Sequence, residues 1–160
     1  MKYLIYAAIG LVLIIVQVLV SRIISIAGAS PDFVLIFIVW LTVREGQFAG
    51  VVSGFALGLV LDIFSSGILG AHALSKTIAC FLLGFFFDAD MSEQRIRNWP
   101  FLVMTLGTAI VNNALYFFIY TRGSEISFGE FAFRYGALGA LYTTVIAIIP
   151  LLYFMRKRAF

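Results

Sequence analysis

Residues 31–72 read PDFVLIFIVWLTVREGQFAGVVSGFALGLVLDIFSSGILGAH, and this stretch decides the fold. Two apolar segments flank a charged corner, Arg44-Glu45-Gly46. From that corner a glycine recurs at every fourth residue, in a glycine stripe made of Gly46, Gly50, Gly54 and Gly58. A spacing of four keeps these residues on one slowly rotating helix face, where another backbone can approach closely in lipid. The stripe predicts a close helix contact, either inside the chain or with a membrane helix of another protein.

The composition indicates an integral membrane protein. The chain has 160 residues, of which 62% are hydrophobic and 12% are charged, and its mean hydropathy is +1.06. A soluble domain is nearer about 45–50% apolar and about 25% charged. The apolar runs have the length of helices and lack the alternation of a membrane β-barrel. We therefore predict one all-α membrane domain over residues 1–160, with a lipid bilayer around it and no nucleic-acid partner.

The apolar runs predict a bundle of six transmembrane helices. Their approximate ranges are 3–20, 31–43, 47–64, 71–87, 100–120 and 128–155. Six spans place both termini on one side of the membrane. That side carries seven Lys and Arg residues against three on the other, so the positive-inside rule places both termini in the cytoplasm.

The second helix has a well-defined start. Ser30 can cap it, Pro31 suits the first helical position, and Asp32 meets the positive end of the helix dipole. Arg44 and Glu45 are then expected in the cytoplasmic turn that follows this helix.

Two ionisable residues, Asp62 and Lys76, lie inside apolar segments. Charged side chains in a membrane are costly and usually pair with one another. The polar turn with Gly67 and Gly70 brings the two segments together, so we expect Asp62 and Lys76 at similar depth as an intramembrane ion pair. A structural pair is favoured over a proton or substrate site, because a proton relay needs a chain of titratable groups. Lys76 could instead extend toward the membrane surface.

The sequence gives no sign of catalysis. His72 is the single histidine and Cys80 the single cysteine, and no run has the spacing of metal ligands. We therefore predict no catalytic residue, no metal and no cofactor, and interpret the protein as not an enzyme. Asn112 and Asn113 lie near the middle of the fifth helix, where one amide is expected to bond to a neighbouring helix and not to line a ligand cavity.

Several motifs together resemble a known family, the rod shape-determining protein MreD family. They are Pro31-Asp32, the apolar run to Trp40, Arg44-Glu45-Gly46, the glycine stripe, Asp62, Ser65-Ser66-Gly67 and Leu69-Gly70. The motif-bearing part covers residues 31–76, and the rest of the chain is similar in architecture and length.

The resemblance implies a non-catalytic scaffold of the cell-wall elongation machinery in the bacterial inner membrane, which helps to maintain rod shape. It implies binding to an MreC-like single-span periplasmic protein. It also implies indirect association with the RodA glycosyltransferase, its penicillin-binding transpeptidase and an MreB-like filament. The implied fold is similar to the substrate-binding subunits of energy-coupling-factor transporters.

Two alternatives stay open at this point. A substrate-binding subunit of an energy-coupling-factor vitamin transporter would share that fold, but the chain has no Ala-x-x-x-Ala docking motif and few polar residues for a vitamin site. The glycine stripe would serve a homodimer as well as a contact with an MreC-like helix.

Overall fold

The computed structural model describes residues 2–20, 23–24, 30–65, 67–121 and 136–156. All the regular secondary structure within these ranges is helical. The helices are α1 (Lys2–Val20), α2 (Phe33–Glu45), α3 (Gln47–Phe64), α4 (Ala71–Gly84), α5 (Ser92–Ile96), α6 (Pro100–Thr121), α7 (Leu138–Ile146) and α8 (Ile148–Arg156).

The structure changes two of the predicted helix ranges. The helix predicted over 71–87 ends at Gly84, because the N–H groups of the next three residues bond three residues back and tighten the chain into a turn. The helix predicted over 128–155 corresponds to α7 and α8, which meet at Ala147. Its predicted start lies outside the described residues.

The prediction of six spans is not confirmed. Four helices are long and apolar enough to cross a membrane: α1, α3, α6 and the continuous segment Leu138–Arg156. Helix α2 has 13 residues and α4 has 14. At 1.5 Å per residue each is about 20 Å long. A bilayer core is about 30 Å thick, so neither α2 nor α4 spans it unaided.

Helix α2 is the centre of the bundle. Its residues 34–39 and 41–43 are all buried, so it has no lipid-facing stripe. A helix that is apolar on every side is stable only when other helices surround it. Helices α1, α3, α4, α6 and α7 all contact α2, and both buried apolar clusters of the protein include its side chains.

Several helix ends meet at one end of the bundle, which we call the corner end. Gly46 joins α2 to α3 with a φ of 99°, a value that favours glycine. Gln47 Nε2 donates a hydrogen bond of 2.8 Å to the Phe81 carbonyl near the end of α4. Lys2 Nζ lies 2.7 Å from Glu45 Oε2, which places the start of α1 at the same level. Helices α2 and α4 therefore have their N-termini toward the opposite end, at a depth inside the bundle.

Candidate functional site

The buried ion pair is made by Lys76 and Asp32, not by Lys76 and Asp62 as predicted. The Lys76 side chain is completely buried, and its Nζ donates to Asp32 Oδ2. The other oxygen of Asp32 accepts from the Leu35 backbone N–H at 2.8 Å and caps α2. One carboxylate therefore neutralises a buried cation and also satisfies a helix N-terminus. The motif Pro31-Asp32 indicated the cap, but no sequence signal joined Asp32 to a residue 44 positions away.

Asp62 has different partners, which explain why it does not need Lys76. Its two carboxylate oxygens accept from the backbone N–H groups of Gly70, His72 and Ala73 at 3.0, 2.9 and 3.0 Å. These N–H groups belong to the N-terminus of α4, where the cap residue Gly70 has no side chain to offer. Asp62 thus caps α4 from α3, and the helix dipole stabilises its charge. The predicted role for Gly70 in the turn agrees with its φ of 95°.

The start of α2 is also fixed by neutral side chains from two other helices. Gln17 of α1 donates to the Pro31 carbonyl and accepts from the Phe33 N–H, both at 2.8 Å. Thr143 of α7 accepts from the Asp32 N–H at 3.1 Å. These bonds satisfy backbone groups that would otherwise be buried and unpaired. The sequence analysis did not assign Gln17 or Thr143 to this site.

The asparagine pair and the histidine lie beside this polar region. Asn113 Nδ2 donates to the Gly136 carbonyl at 2.9 Å, which confirms the prediction that one of the two amides bonds to a neighbouring segment. Asn112 is buried, and its Nδ2 donates to Asn113 Oδ1 at 3.1 Å. The His72 ring stacks on Tyr116 with centroids 4.4 Å apart.

The glycine stripe packs inside the chain. A Cβ added at Gly58 would lie 2.6 Å from Ala73 Cα, and one at Gly54 would lie 3.2 Å from the Lys76 carbonyl oxygen. Gly50 faces the side chain of Thr42 in α2. The stripe therefore lets α3 pack against α2 and α4. Of the two readings of this pattern, a contact inside the chain is the one the structure contains, and these glycines are covered.

The lateral surface carries an apolar groove between α4 and α6, which we call the α4–α6 groove. Its volume is about 450 Å³. Ala79 and Thr108 are buried at its floor, and the exposed Trp99 and Val103 form one wall. Gly107 also lines it, and a Cβ at this position would meet nothing within 4 Å. Gly107 was not singled out in the sequence, because it lies outside the fourfold repeat.

The polar residues of the bundle are suited to holding it together, and the lateral surface is suited to packing. The charges of Asp32, Asp62 and Lys76 are all compensated by a partner or by a helix N-terminus. Within the ranges that the structure describes, no group of three His, Cys, Asp or Glu residues could hold a metal ion.

These features define a multi-pass, all-helical membrane protein with a central half-length helix. A family model described as rod shape-determining protein MreD matches residues 1–157, and the chain belongs to that family. Membership assigns the protein a role in determining rod cell shape, in a family of membrane proteins that is not a known enzyme family. No curated protein and no solved structure matched the chain. The predicted likeness to subunits of energy-coupling-factor transporters is therefore not confirmed, and the vitamin-transport alternative has no support.

Proposed function

We propose that the protein is a non-catalytic scaffold of the bacterial cell-wall elongation machinery, which holds the transmembrane helix of an MreC-like single-span periplasmic protein. The observation that carries this proposal is the family match over residues 1–157. The RodA glycosyltransferase and the penicillin-binding transpeptidase would associate through that partner. An MreB-like filament would lie on the cytoplasmic side.

We further propose the α4–α6 groove as the surface that receives the partner helix. Helices associate in lipid where small residues let backbones approach and side chains interdigitate. Gly107 leaves open space on the surface of α6, between the exposed side chains Val103 and Ile110. Leu82 and Phe86 of α4 form the facing wall. The glycine stripe on α3 is already covered by α2 and α4, so the groove takes over the docking role considered for the stripe.

The proposed orientation places the corner end in the cytoplasm of a cell with an inner membrane. Lys2, Arg44 and Arg156 lie at helix ends on this side, and Arg95 bonds to the Phe86 carbonyl just beyond α4. The positive-inside rule favours such a basic end in the cytoplasm. The partner's extramembrane domain would then emerge from the opposite end.

Site-specific photo-crosslinking tests the groove directly. A photoreactive residue at Val103 would lie in the groove, and one at Val52 would lie on the exposed face of α3. The two valines are 55% and 50% exposed, so they are matched in access. We expect a crosslink to a single-span MreC-like protein from position 103 and not from 52. Equal crosslinking from both positions would contradict the proposed surface.

A substitution that fills the groove provides the functional test. Gly107→Leu adds a side chain where the structure has free space, and Ala56→Leu makes a comparable change on the exposed face of α3. We expect Gly107→Leu to reduce capture of the MreC-like partner at least about tenfold, the effect of losing about 1.4 kcal/mol of binding energy. Cells with this variant should become round, and cells with Ala56→Leu should stay rod-shaped. Rod-shaped cells with full partner capture by a folded Gly107→Leu protein would remove the groove from the interface.

A further inference from the structure

A second lateral groove runs along α2 on the opposite side of the bundle from the α4–α6 groove. We call it the α2–α8 groove. It has a volume of about 450 Å³, within the range of about 300–1,000 Å³ of pockets that bury a small ligand. Leu13 of α1, Phe37 and Trp40 of α2, and Ile149 and Phe154 of α8 contribute to its walls. Its lining is almost wholly apolar, so the occupant must be apolar over most of its length.

One polar atom in this groove has no partner. The Nε1 atom of Trp40 is buried and makes no hydrogen bond within the described part of the chain. The ring is fixed by Phe37 and Phe154, which stack on it with centroids 5.9 and 6.1 Å away. A buried donor of this kind normally finds an acceptor. The groove can supply that acceptor only through its occupant.

The corner end of the groove is positively charged. The Arg44 guanidinium carbon lies 5.1 Å from the centroid of the Trp40 ring. Lys2 lies on the other side of Trp40, where Tyr6 packs edge-on against that ring at 5.7 Å and bonds to Glu45. Two cations therefore surround one carboxylate, and Arg156 ends α8 at the same level. This end attracts an anion.

We propose that the α2–α8 groove binds one anionic phospholipid, with an acyl chain along α2 and the phosphate near Arg44. Trp40 lies about 7 Å along the axis from the end of α2, at the depth where indole rings meet ester and phosphate oxygens. Its Nε1 donates to one of these oxygens. A protein helix would bring no such acceptor, because its backbone oxygens are bonded internally. A zwitterionic lipid would fill the groove but would gain little from the net positive end.

Quenching of tryptophan fluorescence in liposomes tests this site in the full-length chain. The protein has two tryptophans, so Trp99→Phe leaves Trp40 as the probe. The liposomes contain phosphatidylcholine, and either brominated phosphatidylglycerol or brominated phosphatidylcholine replaces it stepwise. We expect half-quenching of Trp40 at a mole fraction of the brominated anionic lipid at least about fivefold lower, the effect of about one surface cation.

Charge variants in the same background assign the preference to this site. Arg44→Gln should weaken the anionic preference about fivefold. Arg97→Gln also removes one cation but alters a surface pair with Glu93, 3.1 Å away on α5, and should leave the preference unchanged. In a Trp40→Phe protein, the exposed Trp99 should be quenched equally by both lipids.

Equal quenching of Trp40 by the two brominated lipids, or quenching by neither, would overturn the proposal. The same holds if Arg44→Gln and Arg97→Gln behave alike. The measurement uses this chain alone, so its result does not depend on the MreC-like partner proposed above.

Discussion

Replacement of Lys76 by methionine tests the account of the central ion pair. Lys76→Met keeps the length and the apolar stem of the side chain and removes its charge. Asp32 then retains its bond to the Leu35 N–H but loses its cation. Removal of one member of a buried pair typically costs about 3–5 kcal/mol, because the other charge stays buried without compensation. The Asp32 side chain is 18% exposed, so we expect the lower end of this range, about 3 kcal/mol of unfolding free energy.

The reverse substitution should be at least as severe. Asp32→Asn keeps a side chain that caps helices well, so the loss isolates the ion pair. Lys76 has no exposed side-chain surface, and its ammonium group is then left in the apolar interior. We expect a loss of about 4 kcal/mol. The double variant has a neutral cap facing an apolar side chain, and it should lie within about 2 kcal/mol of the native protein.

Equilibrium unfolding in mixed detergent micelles measures all four proteins. The double-mutant cycle should give a coupling free energy of at least about 3 kcal/mol between residues 32 and 76. Additive losses in the double variant would refute the reasoning, because they would mean that the two charges do not compensate each other. The double variant also tests the role of the charges in cells. If the pair is structural, the folded double variant should support rod shape, whereas a proton or substrate site would lose function.

Two further substitutions probe how α3 holds α4. Asp62→Ala leaves three N–H groups of α4 without acceptors, so we expect a loss of about 3–6 kcal/mol and faster hydrogen exchange at residues 70–73, measured by mass spectrometry. Unchanged exchange there would show that α4 does not depend on this cap. Gly58→Leu forces a side chain against the Ala73 backbone, so unfolding in mixed micelles should show a loss of at least about 3 kcal/mol. Gly107→Leu is its control, with space around it, and an equal loss from both would contradict the packing of the stripe.

Local rules placed the helix ends best. The capping residues around Pro31 and the charged corner at Gly46 mark where α2 begins and ends, because these signals depend on residues close together in sequence. The same local reading failed for the number of spans. An apolar run of 13 residues looks alike whether it faces lipid or other helices, and only the burial of α2 on every side separates the two cases.

The site shows the same division. The sequence identified Asp32, Asp62 and Lys76 as unusual, since charged residues in apolar segments are costly wherever they lie. Their partners could not be assigned, because Asp62 and Lys76 are near each other along the chain and still belong to different networks. Lys76 reaches across to α2, while Asp62 is already satisfied by the N-terminus of α4.

The sequence by itself determined an all-helical membrane protein, the fourfold glycine face and the family to which the chain belongs, because composition, period and motifs are properties of the chain. The tertiary structure decided which of these features are covered and which remain open. It turned the glycine stripe inward against α2 and α4, and it left Gly107 and the Trp40 groove at the lateral surface. Burial is a property of how helices pack around one another, and no single segment carries it.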